Sequence, residues 1–180
     1  MLNERDKQRQ KRHRKRFEAK IDPSAMVVAF NNHGLNADLF SLIYSMLSEL
    51  PEYIRLKIHL YGIDSGDFTN DFTDFGTKTL IAYGVPLHYV RINGQDELSE
   101  HYDAIDILIL TDDNEQGLIA VKSALTAGCS VITNRKIAGE IHLNIKERLR
   151  IIDNQCTSAL SAHVAAFAAQ RRKFDCALAS

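Results

Sequence analysis

Tryptophan is absent from the 180 residues, and there are only 3 prolines, 9 glycines and 3 cysteines. The lack of tryptophan and the shortage of proline argue against a sandwich of many turns and against a disordered linker. No apolar run approaches the roughly 20 residues needed to cross a bilayer as a helix. The N-terminal stretch is strongly charged and lacks the apolar core of a secretory signal, so a cytoplasmic protein is expected. Cys129, Cys156 and Cys176 are odd in number and widely spaced, and none forms a metal-like pair. Cys129 lies in an apolar segment and reads as a small core residue. Neither a metal nor a cofactor is expected.

What is present fits a globular domain. Apolar residues make up 45% and charged residues 25% of a chain long enough for one hydrophobic core and short for two. The formal net charge of −1 hides an asymmetry. Arg5, Lys7, Arg9, Lys11, Arg12, Arg14, Lys15, Arg16 and Lys20 stand together with only Asp6 and Glu18 between them, so the remainder is acidic. Such a chain can present one strongly positive face.

Residues 4–20 are polar and rich in helix formers. Asp22-Pro23-Ser24 ends that helix, because the residue before a proline avoids helical backbone. Met26-Val27-Val28-Ala29-Phe30 has strand length, and Asn31-Asn32-His33-Gly34 reads as a turn. Leu39, Leu42, Ile43, Met46, Leu47 and Leu50 recur at the helical period, with Asn36 or Asp38 as cap and Pro51 as stop. Residues 56–61 form a second strand closed by Gly62. The polar stretch 64–76 reads as loop, and 77–83 as a short helix stopped by Gly84. Residues 87–92 are a third strand, and 97–103 a short helix. The near-continuous apolar run of 104–111 predicts a strand buried on both faces. A loop at 112–116, a helix at 117–127 closed by Gly128, a strand at 129–133 and a loop at 134–140 follow. Residues 149–152 are the last strand and 158–173 the last helix.

Strands alternating with helices predict a three-layer α/β domain of Rossmann-like type with a mainly parallel sheet. Residues 105–110 and 130–133 are its central strands. Ligands are expected where the strands end at their carboxyl side. The division expected is a basic helix over 1–24 and the Rossmann-like domain over 25–180.

The segment from Tyr102 to Thr133 reads YDAIDILILTDDNEQGLIAVKSALTAGCSVIT. It resembles the donor-site core of family 4 GT-B glycosyltransferases: a strand, a polar loop with a Glu, a Gly-containing helix start, then Ala-Gly and a Val-Ile-Thr strand. Leu50-Pro51-Glu52, Leu60-Tyr61-Gly62 and Tyr83-Gly84-Val85 follow in the same order. The chain is similar, over residues 5–153, to the C-terminal, donor-binding domain of the lipopolysaccharide core heptose glucosyltransferase group.

That resemblance implies a nucleotide-sugar ligand, with a UDP-sugar favoured, and a role in lipopolysaccharide or cell-surface polysaccharide synthesis. In the family a Glu after the buried strand contacts the donor sugar, and the next helix start approaches the diphosphate. A second Glu on that helix binds the ribose. Here Glu115 takes the first position, Gln116, Gly117 and Leu118 form the helix start, and Ser123 stands where the second Glu is expected. The adjacent Arg and Lys that follow the first strand in the family are missing, and His33 is the nearest substitute there. Arg135 or Lys136, after the strand at 129–133, can replace them from another direction. The acceptor half is also missing, which implies a hexosyltransferase-type enzyme inactive alone and completed by an acceptor-domain partner chain. The other reading is a degenerate, non-catalytic interaction module.

The basic helix has three readings: a solvated charged helix, a contact with anionic lipid at the inner face of the cytoplasmic membrane, or a nucleic-acid binder. Arg12, Arg14, Lys15 and Arg16 are the expected membrane or polyanion contacts. The lack of interleaved stacking aromatics argues against nucleic acid. The last helix either packs on its own sheet or crosses to an acceptor half.

Overall fold

The computed structural model describes residues 4–32, 37–64, 69–92, 95–141, 146–153 and 156–178. Six strands make one sheet: β1 (Met26–Asn32), β2 (Ile58–Asp64), β3 (Leu87–Arg91), β4 (Ile107–Leu110), β5 (Ser130–Thr133) and β6 (Leu149–Ile151). Their order across the sheet is β3-β2-β1-β4-β5-β6, and every pairing is parallel. The helices are α1 (Glu4–Glu18), α2 (Ala37–Glu49), α3 (Glu52–Arg55), α4 (Thr69–Tyr83), α5 (Gln95–Tyr102), α6 (Glu115–Thr126), α7 (Arg135–Gly139) and α8 (Thr157–Leu178). The expected Rossmann-like α/β fold is therefore present.

Alternation along the strands builds two cores. Met26, Val28 and Phe30 of β1 face one layer with Ile43, Met46 and Leu47 of α2 and with Leu160 and Val164 of α8. Val27 and Ala29 face the other, with Ala120, Val121 and Ala124 of α6. Every residue of β4 is buried, as expected of a strand covered on both faces. Truncating such a side chain, for instance Leu108→Ala, costs about 2–5 kcal/mol. Cys129 is buried, as its apolar setting suggested. Its thiol donates to the carbonyls of Tyr102 and Ile105, and burial pushes its pKa up to about 12.

Several local expectations are corrected. β2 does not stop at Gly62 but runs to Asp64, because β1 and β3 pair with it on both sides as far as that residue. The helix expected at 77–83 begins at Thr69. Phe75 anchors its first half: it is buried, stacks on Phe40 with ring centroids 4.7 Å apart, and meets Phe30 edge-on. The loop expected at 134–140 contains α7, capped by the Asn134 side chain, which accepts from the Ile137 amide. Gly84 and Gly128 end their helices with positive φ, as read from the sequence. α8 packs on α2 and its own sheet.

Candidate site at the carboxyl rim of the sheet

The strand order changes direction between β1 and β4. The chain winds outward through β2 and β3 on one side and through β5 and β6 on the other. At such a switch point the loops after the two central strands diverge and leave a crevice at their carboxyl ends. The elements around it are the end of β1, residues 111–114 after β4, the first turn of α6, and Asn134 with α7 after β5.

The first turn of α6 is positioned by two devices. Asn114 is the N-cap, and its side chain accepts from the Gly117 amide at 2.8 Å. Gly117 lies so close to the preceding loop that an added Cβ would stand 2.7 Å from the Asp112 carbonyl oxygen and 3.1 Å from Leu110 Cδ2. Only glycine lets the helix start there without displacing backbone. Glu115 and Gln116 stand exposed on this turn, whereas Leu118 is half-buried against the core. The expected approach of the Gly117 and Leu118 amides to a diphosphate meets an obstacle. Both bond to Asn114, through its side chain and its carbonyl respectively.

The neighbouring turn is tied to the first. Asn134 Nδ2 donates to the Thr111 carbonyl at 2.9 Å, and Lys136 Nζ lies 3.2 Å from Asp113 Oδ2. Arg135 makes a two-pronged pair with Asp153, at 3.1 and 2.6 Å, which raises the pKa of the guanidinium and lowers that of the carboxyl. The two cations expected to compensate for those missing after β1 are thus at the rim, each carrying a carboxylate partner. Thr133, at the end of β5, buries a hydroxyl that has no hydrogen-bond partner among the described residues. On the far side, Asp64 ends β2 fully buried and accepts from the Tyr89 hydroxyl at 3.1 Å.

The structure therefore gathers Glu115, Gln116, Gly117 and Arg135 on one rim. His33 lies outside the described residues. Ser123 sits two turns along α6, about 12 Å down its axis. It lines a polar cleft of about 650 Å3 with Lys7 and Lys11 of α1, Ser99 of α5 and Lys122. Among the described residues no group of three or more His, Cys, Asp or Glu is placed to hold a metal ion. No described helix is long and apolar enough to cross a membrane.

The four expected polyanion contacts on α1 are not a free basic face. Arg16 is almost wholly buried and meets Asp106 at 2.6 Å. Arg12 donates to the Asp103 carbonyl and lies 3.5 Å from Asp106. Lys15 pairs with Glu100 and Glu18, and Arg14, the most exposed of the four, pairs with Glu18. Arg16 in particular is removed from the surface, because its donors also serve the Ala104, Pro23 and Ala25 carbonyls at the amino end of the sheet. Asp106 carries no local mark of this role in the sequence. An acid one residue before an apolar strand was the available signal, but its partners lie far off in the chain.

No family model matches the chain, and no curated protein matches it. Among solved structures it is similar to WaaG, a glycosyltransferase involved in lipopolysaccharide biosynthesis, with a TM-score of 0.63 and 20% identity over 91% of this chain and 46% of that one. It is also similar to the catalytic domain of cholesterol-α-glucosyltransferase from Helicobacter pylori, with a TM-score of 0.53 and 14% identity over 79% of this chain and 85% of that one. The chain thus spans less than half the length of the first. At these identities the likeness establishes a fold shared with GT-B glycosyltransferases.

Proposed function

We propose that this chain is the nucleotide-sugar-binding half of a glycosyltransferase for lipopolysaccharide or cell-surface polysaccharide synthesis, resembling the C-terminal domain of the heptose glucosyltransferase group, and inactive without an acceptor-binding partner. The observation that carries this reading is the reversal of strand order between β1 and β4 with the α6 N-terminus and Glu115 beside it. A helix start favours a diphosphate through its dipole. Leaving-group charge in sugar transfer is stabilised by such fixed donors. Glu115 would meet the sugar, the first turn of α6 (Gln116, Gly117 and Leu118) the diphosphate, with Gly117 and Leu118 exchanging their bonds to Asn114 for phosphate oxygens, and Ser123 the ribose. Arg135, with His33 as a second donor, would supply positive charge. A UDP-sugar is the favoured donor. The same reading puts the chain in the cytoplasm, at the inner face of the membrane.

A second reading is favoured by specific features of the rim. The Gly117 amide is taken by Asn114, and Arg135 and Lys136 are paired with Asp153 and Asp113. No Arg or Lys stands between Asn31 and Asp38. A domain that has kept the fold and lost the transfer chemistry would look like this and would serve as a non-catalytic interaction module. Calorimetric titration with UDP and UDP-sugars separates the two. Binding with a Kd in the millimolar range or tighter supports the donor half. No heat at any attainable concentration supports the module.

A further inference from the structure

The end of the sheet opposite the rim holds a pocket that donor binding does not use. In a parallel sheet, the segments that lead into strands all lie at the amino end. There a pocket of about 210 Å3 opens between α3, α8 and the start of β1. An apolar cavity of about 150 Å3 holds a benzene molecule, so this one has room for a ring and a short side chain. The space exists because the side chains of α8 are small. Ala165 and Ala168, three apart, pack towards the core and line the pocket. Ile54 and Tyr53 of α3 supply another wall. Ile54 is buried and Tyr53 is 58% exposed, so that wall is apolar inside and open at its mouth.

The charged groups lining the pocket are Lys57 and Arg171, with no carboxylate among them. Lys57 is exposed and makes no ion pair among the described residues. Arg171 is held in place: its Nη1 donates to the Ala25 carbonyl and to Asp106 Oδ2, both at 2.9 Å. Its Nε and Nη2 make no hydrogen bond among the described residues. The Asp106 carboxylate also serves Arg12 and Arg16, so that cluster stays net positive. Ser24, also in the wall, has its amide and hydroxyl engaged by Asp22. The groups left to meet a ligand are therefore an ammonium and the edge of a guanidinium.

A concave, mainly apolar space with a few fixed polar groups is the usual form of a small-molecule site. We infer that the α3–α8 pocket binds a small soluble anion with a flat apolar body: a ring carrying a short carboxylate arm. Two alanines one turn apart leave a smooth face, which suits a ring lying against them and Ile54. The carboxylate meets Lys57 and the free edge of Arg171. A guanidinium edge takes a carboxylate through two parallel hydrogen bonds, and Lys57 adds a point charge. A nucleoside diphosphate is too large and too polar for this volume, so the ligand is of a different class from the donor. Once bound, it bridges α3 to α8 and steadies Arg171 at the amino end of β1. The pocket is separate from the carboxyl rim, so a negative UDP titration leaves this inference standing, and its own failure leaves the donor reading standing.

The test is calorimetric titration of the full chain with 3-phenylpropionate, 3-phenylpropan-1-ol and 3-phenylpropylammonium. These probes share the ring and differ in the head group. The acid should bind saturably, with a Kd of about 1 mM or tighter. The alcohol should bind about threefold or more weakly, and the ammonium about tenfold or more weakly, since it faces two like charges. The melting temperature should rise with the concentration of the acid. On the labelled chain, the acid should shift the methyl signals of Ile54, Ala165 and Ala168. Ala168→Leu fills the pocket and should abolish binding. Lys57→Glu should weaken binding of the acid about three- to tenfold. Lys57 is exposed, so this variant keeps the test decisive if the filled pocket disturbs folding. Arg14→Glu should bind like the parent. No saturable binding of the acid, equal affinity for acid and ammonium, or undiminished binding by both pocket variants would overturn the inference. Shifts confined to the carboxyl rim would overturn it too, by assigning the anion to the donor site.

Discussion

Arg16 Nη2 stands 2.6 Å from Asp106 Oδ2, with 3% of the arginine and 5% of the aspartate exposed. The same carboxylate accepts from the Val27 amide and from Arg171, so it fastens both α1 and α8 to the amino end of β1. Burial pulls the Arg16 pKa down, opposed by Asp106, yet a guanidinium keeps its proton throughout the usable pH range. Removing one partner of such a group leaves uncompensated buried charge, at a cost of about 3–5 kcal/mol. Asp106→Ala should therefore lower the urea midpoint by that equivalent, because three guanidiniums lose their acid. Arg14→Ala, on the same helix and exposed, should stay close to the parent. Equal midpoints for the two variants would show that the cluster contributes nothing to holding the helices.

Gly117→Ala and Gly139→Ala should have opposite signs. Alanine normally stabilises a helix relative to glycine by roughly 0.5–1 kcal/mol. At Gly139 nothing lies within 4 Å of the added carbon, so that gain should be seen. At Gly117 the added carbon meets the Asp112 carbonyl oxygen at 2.7 Å, so backbone must move, and overpacking of this kind costs about 1–3 kcal/mol. Thermal melts of the two variants check it. A stabilised Gly117→Ala would mean that the helix start is looser than described.

The histidines at the β2–β3 edge predict acid sensitivity. Burial, with smaller contributions from His88 and Arg16, lowers the His59 pKa to about 4, and burial lowers that of His88 as well. The unfolded chain, with histidines near 6.5, then binds more protons than the folded one between those values. Stability should be fully present above about pH 6.5 and fall as the pH drops towards 4. His59→Gln should flatten that slope. Denaturation midpoints measured across this range decide it, and a flat profile for the parent would contradict the burial of His59.

Loss of the Asn134 side chain should be felt at the rim. It caps α7 and also donates to the Thr111 carbonyl, linking the loops after β5 and β4. Asn134→Ala should cost about 1 kcal/mol for the cap and a similar amount for the second bond. Hydrogen exchange should speed up at Ile137, whose amide loses its acceptor, with β1 and β2 unaffected.

Much of the fold was legible because it is written in local pattern. The apolar runs at Met26–Phe30 and Ile107–Leu110 gave buried strands, and Gly84 and Gly128 marked helix ends. The first half of α4 was not legible, since its polar composition favours loop and its helical state depends on Phe75 packing against Phe30 and Phe40, more than thirty residues earlier. α7 was missed although Asn134 carries the capping signal, because the helix is too short to show a period. At the site, Glu115 and Gly117 were readable from order alone. The ion pair of Arg135 with Asp153 was not, because side-chain pairing across 18 residues leaves no periodic trace. The inward turn of Arg16 was hidden for the same reason, its partner lying in another strand's lead-in.

The measurement that tests the central claim most directly is a titration of the isotopically labelled chain with UDP-glucose, followed by amide chemical shifts. Binding at the switch-point rim, with the ribose reaching Ser123, predicts saturable shifts at residues 111–118, 123 and 134–136, with a Kd in the millimolar range. A Ser123→Glu variant should tighten that Kd about tenfold, since a charged hydrogen bond to the ribose is worth roughly 1.5–3 kcal/mol. No shifts at the rim up to the solubility of the ligand, or shifts confined to another surface, would contradict a nucleotide-sugar site in this domain.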